Sequence, residues 1–115
     1  MTNYAHGHEA EKVAAEYLKN SGYKIIALNW RHKRAEIDII ARKKRGPLTF
    51  VEVKYRETAA QGGGLDYITP TKLSQMAFAA DLYVTTERYD GEYTLAAIEV
   101  SGPSYTIGSF ISELI

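Results

Sequence analysis

Acidic side chains stand inside two otherwise apolar segments of this sequence. Residues 36–40 read Glu-Ile-Asp-Ile-Ile, and residues 50–54 read Phe-Val-Glu-Val-Lys. Burying an unpaired carboxylate costs free energy, so carboxylates at such positions usually have a charged partner or bind a metal ion. The chemistry that these residue types suggest is the binding of a cation between facing carboxylates, with a lysine beside them.

The two segments are predicted to form neighbouring antiparallel strands that bring these groups onto one shared face. Side chains alternate along a strand, and the residues placed on the shared face are Glu36, Asp38, Ile40, Phe50, Glu52, Lys54 and Arg56. If residues 43–47 form a hairpin turn centred near Arg45, the numbers of paired residues sum to about ninety. Asp38 then lies opposite Glu52, and Glu36 lies opposite Lys54. Two facing carboxylates repel each other unless a cation lies between them.

A Glu-x-Lys sequence in a strand also has a simpler interpretation, a solvated face that carries a cross-strand ion pair. The apolar content of the two segments weighs against it, because both read as strands that are buried on two faces. The residues concerned are Ile37, Ile39, Ile40, Ala41, Leu48, Phe50, Val51 and Val53.

The length and composition of the chain indicate one globular domain over residues 1–115. A chain of 115 residues can form a core of several strands and helices but is short for two domains. Its hydrophobic content of 45% is ordinary, and no segment approaches the roughly 20 apolar residues of a membrane span. The first eleven residues lack the apolar region of a secretory signal, and the absence of cysteine excludes disulfides and thiolate metal sites. We therefore expect a cytoplasmic protein with no membrane partner.

The formal net charge of zero hides a division between the two halves of the chain. Residues 1–56 contain twelve Lys/Arg and six Asp/Glu, whereas residues 57–115 contain two Lys/Arg and eight Asp/Glu. The basic residues gather at both ends of the segment that carries Asp38, in residues 31–34 and 42–45. Such asymmetry indicates a polyanionic partner whose phosphates could be met on either side of the acids. The alternative is that a lysine-rich hairpin tip only aids solubility and protects a sheet edge.

A helix is predicted from about Asn3 to Asn20, because apolar residues recur there at helical spacing and Gly22 follows as a left-handed cap. Glu11 stands three residues before Ala14 and seven before Leu18, which places it at the edge of the buried stripe. Its carboxylate then points toward whatever the helix covers. A glutamate that only favours the helix dipole is the alternative.

The remaining elements are predicted from apolar runs and turn residues. They are strands over Tyr23–Leu28, Ala35–Arg42, Leu48–Tyr55 and Tyr93–Val100, a loop over Glu57–Tyr67, a helix from Pro70 to about Val84, and a last segment, Tyr105–Ile115, that is either strand or helix. Asn29-Trp30-Arg31 is predicted to lead out of the first strand, and the loop is either inert or closes over substrate. Thr69 is the expected N-cap of the second helix, with Pro70 as its first residue. Lys72, in the first turn of that helix, is either a phosphate contact or an exposed, solvating lysine.

An acid in the first helix, an acid in the second strand and Glu-x-Lys in the third strand follow one another in this chain. The motifs are Gly7-x-x-x-Glu11, Gly22-Tyr23, Asn29-Trp30-Arg31, Glu36-Ile37-Asp38-Ile39-Ile40-Ala41, Phe50-Val51-Glu52-Val53-Lys54-x-Arg56 and Thr69-Pro70-x-Lys72. In this order they resemble the PD-(D/E)XK nuclease superfamily, and more narrowly the YraN family of small bacterial proteins, which is related to archaeal Holliday-junction resolvases. Two positions depart from the family pattern. Ala35 stands where the family has glycine, and Glu92-Tyr93-Thr94 stands where it has arginine, phenylalanine and aspartate.

The resemblance implies an α/β fold with a restriction-endonuclease-like αβββαβ core, in which a mixed sheet is flanked by helices. It also implies a Mg²⁺ or Mn²⁺ site with Asp38, Glu52 and the Val53 carbonyl as ligands, which Glu11 reaches directly or through water. Lys54 would orient or activate the attacking water, or stabilise charge on the phosphate.

Arg31, Arg34 and Arg56 would hold phosphate groups without reading a base sequence. Glu36 is either an outer partner of Lys54 or part of an ordinary cross-strand ion pair. The implied function is a metal-dependent endonuclease acting on DNA, with branched or junction DNA as the substrate by analogy. A two-fold dimer that uses the apolar C-terminal segment would pair two active sites. The alternatives are a non-catalytic nucleic-acid-binding or interaction module that keeps the fold, and a nuclease directed at RNA.

Overall fold

A five-stranded mixed sheet between two helices forms the fold. The structure, a computed structural model, describes residues 3–58 and 66–115, with side chains from residue 6 onward. The elements are α1 (Asn3–Asn20), β1 (Tyr23–His32), β2 (Ala35–Lys43), β3 (Leu48–Arg56), α2 (Pro70–Thr86), β4 (Tyr93–Ser101) and β5 (Thr106–Ile111). The predicted α/β class and αβββαβ core are confirmed, and the last segment forms strand β5. The predicted loop over Glu57–Tyr67 falls largely on residues 59–65, outside those described.

The strands lie side by side in chain order, from β1 to β5. β1, β2 and β3 form an antiparallel meander, β4 runs parallel to β3, and β5 returns antiparallel along β4. Parallel neighbours need a long crossover, which α2 supplies here. β1 is longer than predicted. Asn29, Trp30 and Arg31 belong to it, because Trp30 and Arg31 pair with Ile37 and Glu36 of β2.

The two helices cover opposite faces of the sheet. Residues that pack on the α1 side include Ala10, Ala14, Leu18, Ile39, Val51 and Ile98. Residues that pack on the α2 side include Met76, Ala79, Ala80, Ile40, Phe50 and Leu95. Because both faces are covered, the central strands are apolar on both sides, which confirms the prediction of doubly buried strands.

The pairing of β2 with β3 follows the predicted register for only part of its length. The four pairs from Arg42 with Leu48 to Ile39 with Val51 all have numbers that sum to 90. The described ladder ends at that point. The predicted pairing of Asp38 with Glu52, and with it that of Glu36 with Lys54, is therefore wrong.

A side-chain hydrogen bond replaces the ladder at this point. The backbone N–H of Val53 donates to Oδ2 of Asp38, with 2.8 Å between the two atoms. Aspartate side chains can capture backbone N–H groups that a ladder would otherwise use. This hydrogen bond therefore joins β2 to β3 where their ladder ends.

Strict alternation along β2 also fails at Asp38. Ile37 and Ile40 both pack on the α2 side, whereas Ile39 packs on the α1 side. On β1, Asn29 lies between the partners of Ile37 and Ile39 and has a φ of 52° in the left-handed region. The predicted grouping of Asp38 with Ile40 on one face is therefore wrong. This local irregularity leaves Asp38 in the wall of a cleft on the α1 side.

Candidate functional site

Three acidic side chains from three elements form what we call the acidic cluster: Glu11, Asp38 and Glu52. Glu11 comes from α1, Asp38 from β2 and Glu52 from β3. They gather where the β2–β3 ladder ends, close enough for their charges to influence one another. The structure thus brings together the three carboxylates that were predicted from the sequence to form a site.

Asp38 is the most strongly perturbed member of the acidic cluster. Burial raises the pKa of its carboxyl group from 3.8 to about 7, and the charges of Glu52 and Glu11 add to the increase. The hydrogen bond from Val53 and the charge of Lys72 oppose it. A carboxyl group in such surroundings gains from a bound cation, because a cation favours the ionised form. Whether the Val53 carbonyl is a metal ligand remains a prediction, since the structure shows the role of its N–H only.

The carboxyl group of Glu11 is also perturbed by its surroundings. Burial raises the pKa of its carboxyl group, opposed by a hydrogen bond with the Asn29 side chain. Its Oε1 atom is buried and has no hydrogen-bond partner among the described residues. Leaving a carboxylate oxygen buried without a donor is costly. The prediction that Glu11 edges the buried stripe is confirmed, because Ala14 and Leu18 are fully buried.

Glu52 has a counterion from helix α2. Nζ of Lys72 lies 2.8 Å from Oε2 of Glu52, and the two side chains are 35% and 18% exposed. The Thr69 hydroxyl accepts a hydrogen bond from the Lys72 backbone N–H at 3.1 Å, and Pro70 begins the helix. The predicted N-cap is confirmed. The interpretation of Lys72 as a purely solvating lysine is wrong, because its ammonium group is paired with Glu52. The cap fixes the first turn of α2 and so places Lys72 beside the acidic cluster.

Replacing Lys72 with methionine is expected to lower the free energy of unfolding at pH 8 by about 1 kcal/mol. Methionine keeps much of the apolar stem but leaves Glu52 without a cation beside Asp38. The loss should be smaller at pH 5, where the pKa of about 7 keeps Asp38 protonated and the acidic cluster carries less charge. Urea unfolding at both pH values measures the effect, with Lys44→Met in the exposed hairpin as the matched control. An equal loss at both pH values would contradict this assignment.

The predicted basic residues of the β1–β2 hairpin lie at the surface. Arg31 faces Glu36 across the β1–β2 ladder, with 3.6 Å between their charged atoms. Glu36 thus belongs to an ordinary cross-strand ion pair, with Arg31 as its partner. Arg34 is exposed and lines a cleft on the α2 side. Lys54 is exposed and forms no ion pair with another described side chain.

Arg56, which was expected to hold a phosphate group, forms an ion pair with Glu99 of β4. Its Nε atom donates to Oε2 of Glu99, and the two side chains are only 15% and 8% exposed. Its guanidinium carbon also lies 5.8 Å from the centre of the Tyr67 ring. Because Glu99 offsets much of its charge, Arg56 is poorly placed for the phosphate contact expected of it.

Substituting methionine for Arg56 is expected to lower the free energy of unfolding at pH 8 by about 3 kcal/mol, because Glu99 would be left buried and unpaired. Arg34→Met, at an exposed position, should change it by less than about 0.5 kcal/mol. A second variant, Arg56→Met with Glu99→Met, should recover part of the loss. Thermal and urea unfolding measure all three. A double variant less stable than Arg56→Met would show that Glu99 does more than balance the arginine.

Sequence reasoning missed Glu99, Tyr67 and Asn29. Burial raises the pKa of the Tyr67 hydroxyl, and the charges of Glu52, Glu99 and Asp38 raise it further. Tyr67 therefore lies within electrostatic reach of both the acidic cluster and the Glu99 ion pair. Glu99 carried the same signal as Asp38, an acid in an apolar strand. Asn29 stood in the Asn29-Trp30-Arg31 motif but was predicted only to lead out of the first strand, and Tyr67 carried no comparable signal.

Two clefts flank the acidic cluster. The α1-side cleft, of about 560 Å³, includes Glu11, Asp38 and Arg31 in its walls. The α2-side cleft, also of about 560 Å³, includes Glu52, Lys72 and Arg34. Glu36 lines both. A ligand much larger than a metal ion can therefore approach the acids from either face of the sheet.

The residues of the acidic cluster suit a hard divalent cation in donor type. Their ligand atoms are carboxylate oxygens, which Mg²⁺ and Mn²⁺ prefer. Among the described residues, no three His, Cys, Asp or Glu side chains already form a group that could hold a metal ion. Lys72 holds Glu52 at 2.8 Å. Glu52 would therefore have to exchange this lysine for the ion.

The order of the elements and the position of the acidic cluster define the class of this protein, an α/β protein with a restriction-endonuclease-like αβββαβ core. Within residues 3–58 and 66–115, neither helix has the length and apolar content needed to cross a membrane. The sequence model of the uncharacterised protein family UPF0102 matches residues 10–100. The chain belongs to this family, which confirms the resemblance to YraN.

Relatives in several bacteria support the same assignment. A UPF0102 protein of Chlorobium phaeobacteroides is 39% identical over 97 residues, which cover 82% of this chain and 76% of the relative. One from Flavobacterium johnsoniae is 35% identical over 107 residues, covering 88% and 86% of the two chains. One from Chlorobium limicola is 45% identical over 80 residues, and there the alignment spans 70% of this chain and 61% of the relative.

Proposed function

We propose that this protein is a metal-dependent phosphodiesterase that cleaves DNA at the acidic cluster. The observation that carries the proposal is the gathering of three partly buried carboxylates, Glu11, Asp38 and Glu52. Asp38 has a pKa of about 7, and the buried Oε1 of Glu11 has no hydrogen-bond partner among the described residues. Perturbed carboxyl groups in a cleft are typical of catalytic sites. A purely structural ion-pair network would leave fewer of these groups unsatisfied.

Asp38, Glu52 and Glu11 would hold Mg²⁺ or Mn²⁺, with the Val53 carbonyl as a further ligand. When bound, such an ion supplies positive charge at the scissile phosphate and acidifies a water molecule. Lys72 would leave Glu52 as the ion enters, which makes its ammonium group available to a phosphate. Removing the charge repulsion within the acidic cluster contributes to the affinity for the ion.

The basic side chains around the acidic cluster would bind the DNA backbone. Arg31 lines the α1-side cleft and Arg34 the α2-side cleft, so the two could contact phosphates on opposite sides of the cleaved bond. Lys54 would orient the attacking water or stabilise charge on the phosphate. Arg56 is left out of this set, because it is paired with Glu99.

Branched or junction DNA is the proposed substrate by analogy with the resolvases, and the cytoplasm the proposed compartment. Symmetric cleavage of a junction would need a two-fold dimer. The apolar C-terminal segment is partly used within the chain, because Ile107 and Phe110 pack against the α1-side core. Ile111 and Ile115 remain 42% and 64% exposed and are the apolar side chains left for an interface. Light scattering that shows a monomer at all concentrations would exclude this arrangement.

A non-catalytic nucleic-acid-binding module is the second candidate function. The observation that favours it is the ion pair of Lys72 with Glu52, since an internal cation already balances part of the negative charge of the acidic cluster. Metal titration separates the two candidates. An enzyme should gain thermal stability from Mn²⁺ in the parent protein but not in Asp38→Ala or Glu52→Ala, whereas a module without a metal site should show no such difference.

Cleavage of labelled DNA tests the proposal directly. Four-way junction, flap, duplex and single-stranded substrates, with matched RNA, are incubated with the protein in Mn²⁺ and in Mg²⁺. We expect cleavage of at least one DNA substrate, lost in Glu52→Ala and in Lys54→Ala. Binding without cleavage by folded protein would contradict the enzyme and support the module. Preferential cleavage of RNA would replace DNA as the substrate class.

A further inference from the structure

The α2-side cleft has features that a metal site does not need. Its volume of about 560 Å³ is within the range of pockets that bind organic ligands and far exceeds the size of an ion. One end is formed by the ion pair of Glu52 with Lys72. Arg34 and Glu36 also line the cleft, so its walls carry two cationic and two acidic side chains.

The helical wall of this cleft, which also contains Lys72 and Met76, includes one stripe along α2. Thr71, Ser74, Gln75 and Phe78 recur at the spacing that places residues on one helix face. Phe78 is 62% exposed, although the opposite face of the same helix is buried in the core. From Lys72 to Phe78 the helix rises about 9 Å. The stripe therefore presents hydroxyl and amide groups near the acidic cluster and an aromatic ring farther away.

A single exposed phenylalanine is common on protein surfaces and needs no special account. Phe78 differs in its position, because it lines a cleft that also contains two cationic side chains and leads to the acidic cluster. An aromatic ring beside positive charge is the combination that binds unpaired nucleotides, since the ring stacks on a base while the cations hold phosphates. Bases in an intact duplex are already stacked on their neighbours and cannot stack on such a ring.

We propose that the α2-side cleft binds an unpaired nucleotide next to the cleaved bond, with its base stacked on Phe78 and its phosphates held by Arg34 and Lys72. This inference rests on the proposed function and narrows its substrate class to DNA with unpaired nucleotides at the cleavage point. The same nucleotide would contact both the exposed ring of Phe78 and the polar side chains along α2.

Binding of a fluorescein-labelled unpaired oligodeoxynucleotide, measured by anisotropy without divalent cation, tests the proposal apart from cleavage. Phe78→Ala is expected to weaken binding about tenfold, the typical contribution of one stacked base. Binding of the corresponding duplex should change less than about twofold, because a duplex offers no free base to stack. Leu28→Ala, which shortens an apolar side chain that is 47% exposed outside the cleft, is the control and should leave both affinities unchanged.

Phe78→Trp provides a second readout. The indole should retain binding, and its fluorescence should be quenched by the unpaired oligonucleotide to a greater extent than that of the parent, whose one tryptophan is Trp30. Arg34→Gln should weaken binding and reduce the dependence of log K on log salt by about 1. Lys19→Gln, at an exposed position on α1 outside the basic groups, should do neither.

Each other outcome overturns the inference in a recognisable way. Unchanged oligonucleotide binding in Phe78→Ala would remove the base from this cleft, while metal-dependent cleavage could still stand. Cleavage of duplex without any binding of unpaired DNA would keep the proposed function and reject this substrate class. A change in self-association of Phe78→Ala, seen by sedimentation without a change in DNA binding, would assign the ring to a protein contact.

Discussion

Asp38→Asn is expected to reduce metal-dependent cleavage of DNA by about a thousandfold, the upper part of the range for loss of one well-placed electrostatic group. Asparagine has the shape of aspartate, and its amide oxygen can still accept the hydrogen bond from the Val53 N–H. The substitution therefore removes the negative charge while keeping the local structure. Initial rates with the best DNA substrate, at saturating Mn²⁺, measure the loss.

Asp90→Asn is the matched control for this experiment, because it makes the same chemical change at an exposed position before β4. Its rate should equal that of the parent. Glu52→Gln should behave like Asp38→Asn, with Glu87→Gln at the exposed end of α2 as its control. A parent-like rate in Asp38→Asn would exclude Asp38 from the catalytic site, and an equal loss in Asp90→Asn would point to a general effect on the protein.

The same Asp38→Asn substitution is expected to stabilise the folded protein at pH 8, by at most about 4 kcal/mol. The pKa of Asp38 is raised from 3.8 to about 7 on folding. Between these values the folded state binds more protons than the unfolded state, so stability is highest below about pH 4 and falls as the pH rises to about 7. Asparagine does not ionise, and this loss should be absent from the variant.

Urea unfolding at pH 4 and pH 8 measures the predicted difference. The parent should lose more stability than Asp38→Asn between the two pH values, and Asp90→Asn should follow the parent. Mn²⁺ should restore stability to the parent at pH 8 more than at pH 5, because the ion competes with protons for the same carboxylates. An Asp38→Asn protein that is less stable than the parent at pH 8 would show that the ionised Asp38 carboxylate does not destabilise the folded state.

Local patterns in the sequence predicted much of the fold. The register of β2 with β3 could be derived because a short hairpin fixes the pairing near its turn. The prediction failed at Asp38, five residues from the turn end of β2, because its side chain accepts the Val53 N–H where the ladder ends. The alternation of side chains along a strand does not predict where a side chain will replace the backbone as hydrogen-bond acceptor.

The partners of the acids were harder to predict than the acids. Lys72 meets Glu52 only because α2 packs across the sheet, and Glu99 meets Arg56 only because β4 runs parallel beside β3. Both contacts join residues that are distant in the chain and depend on tertiary packing. An acid in an apolar strand therefore reveals that a partner exists, while the identity of the partner requires the fold.

The parallel pairing of β3 with β4 has a consequence for how the chain folds. Helix α1 and the meander depend on contacts between chain neighbours, which form early, whereas β4 can join β3 only after the crossover through α2 has closed. If the meander forms first, Glu11, Asp38 and Glu52 come together without Lys72, and their mutual repulsion would disfavour that state. Docking of α2 supplies the lysine. We therefore expect electrostatics at the acidic cluster to couple completion of the sheet to closure of the crossover.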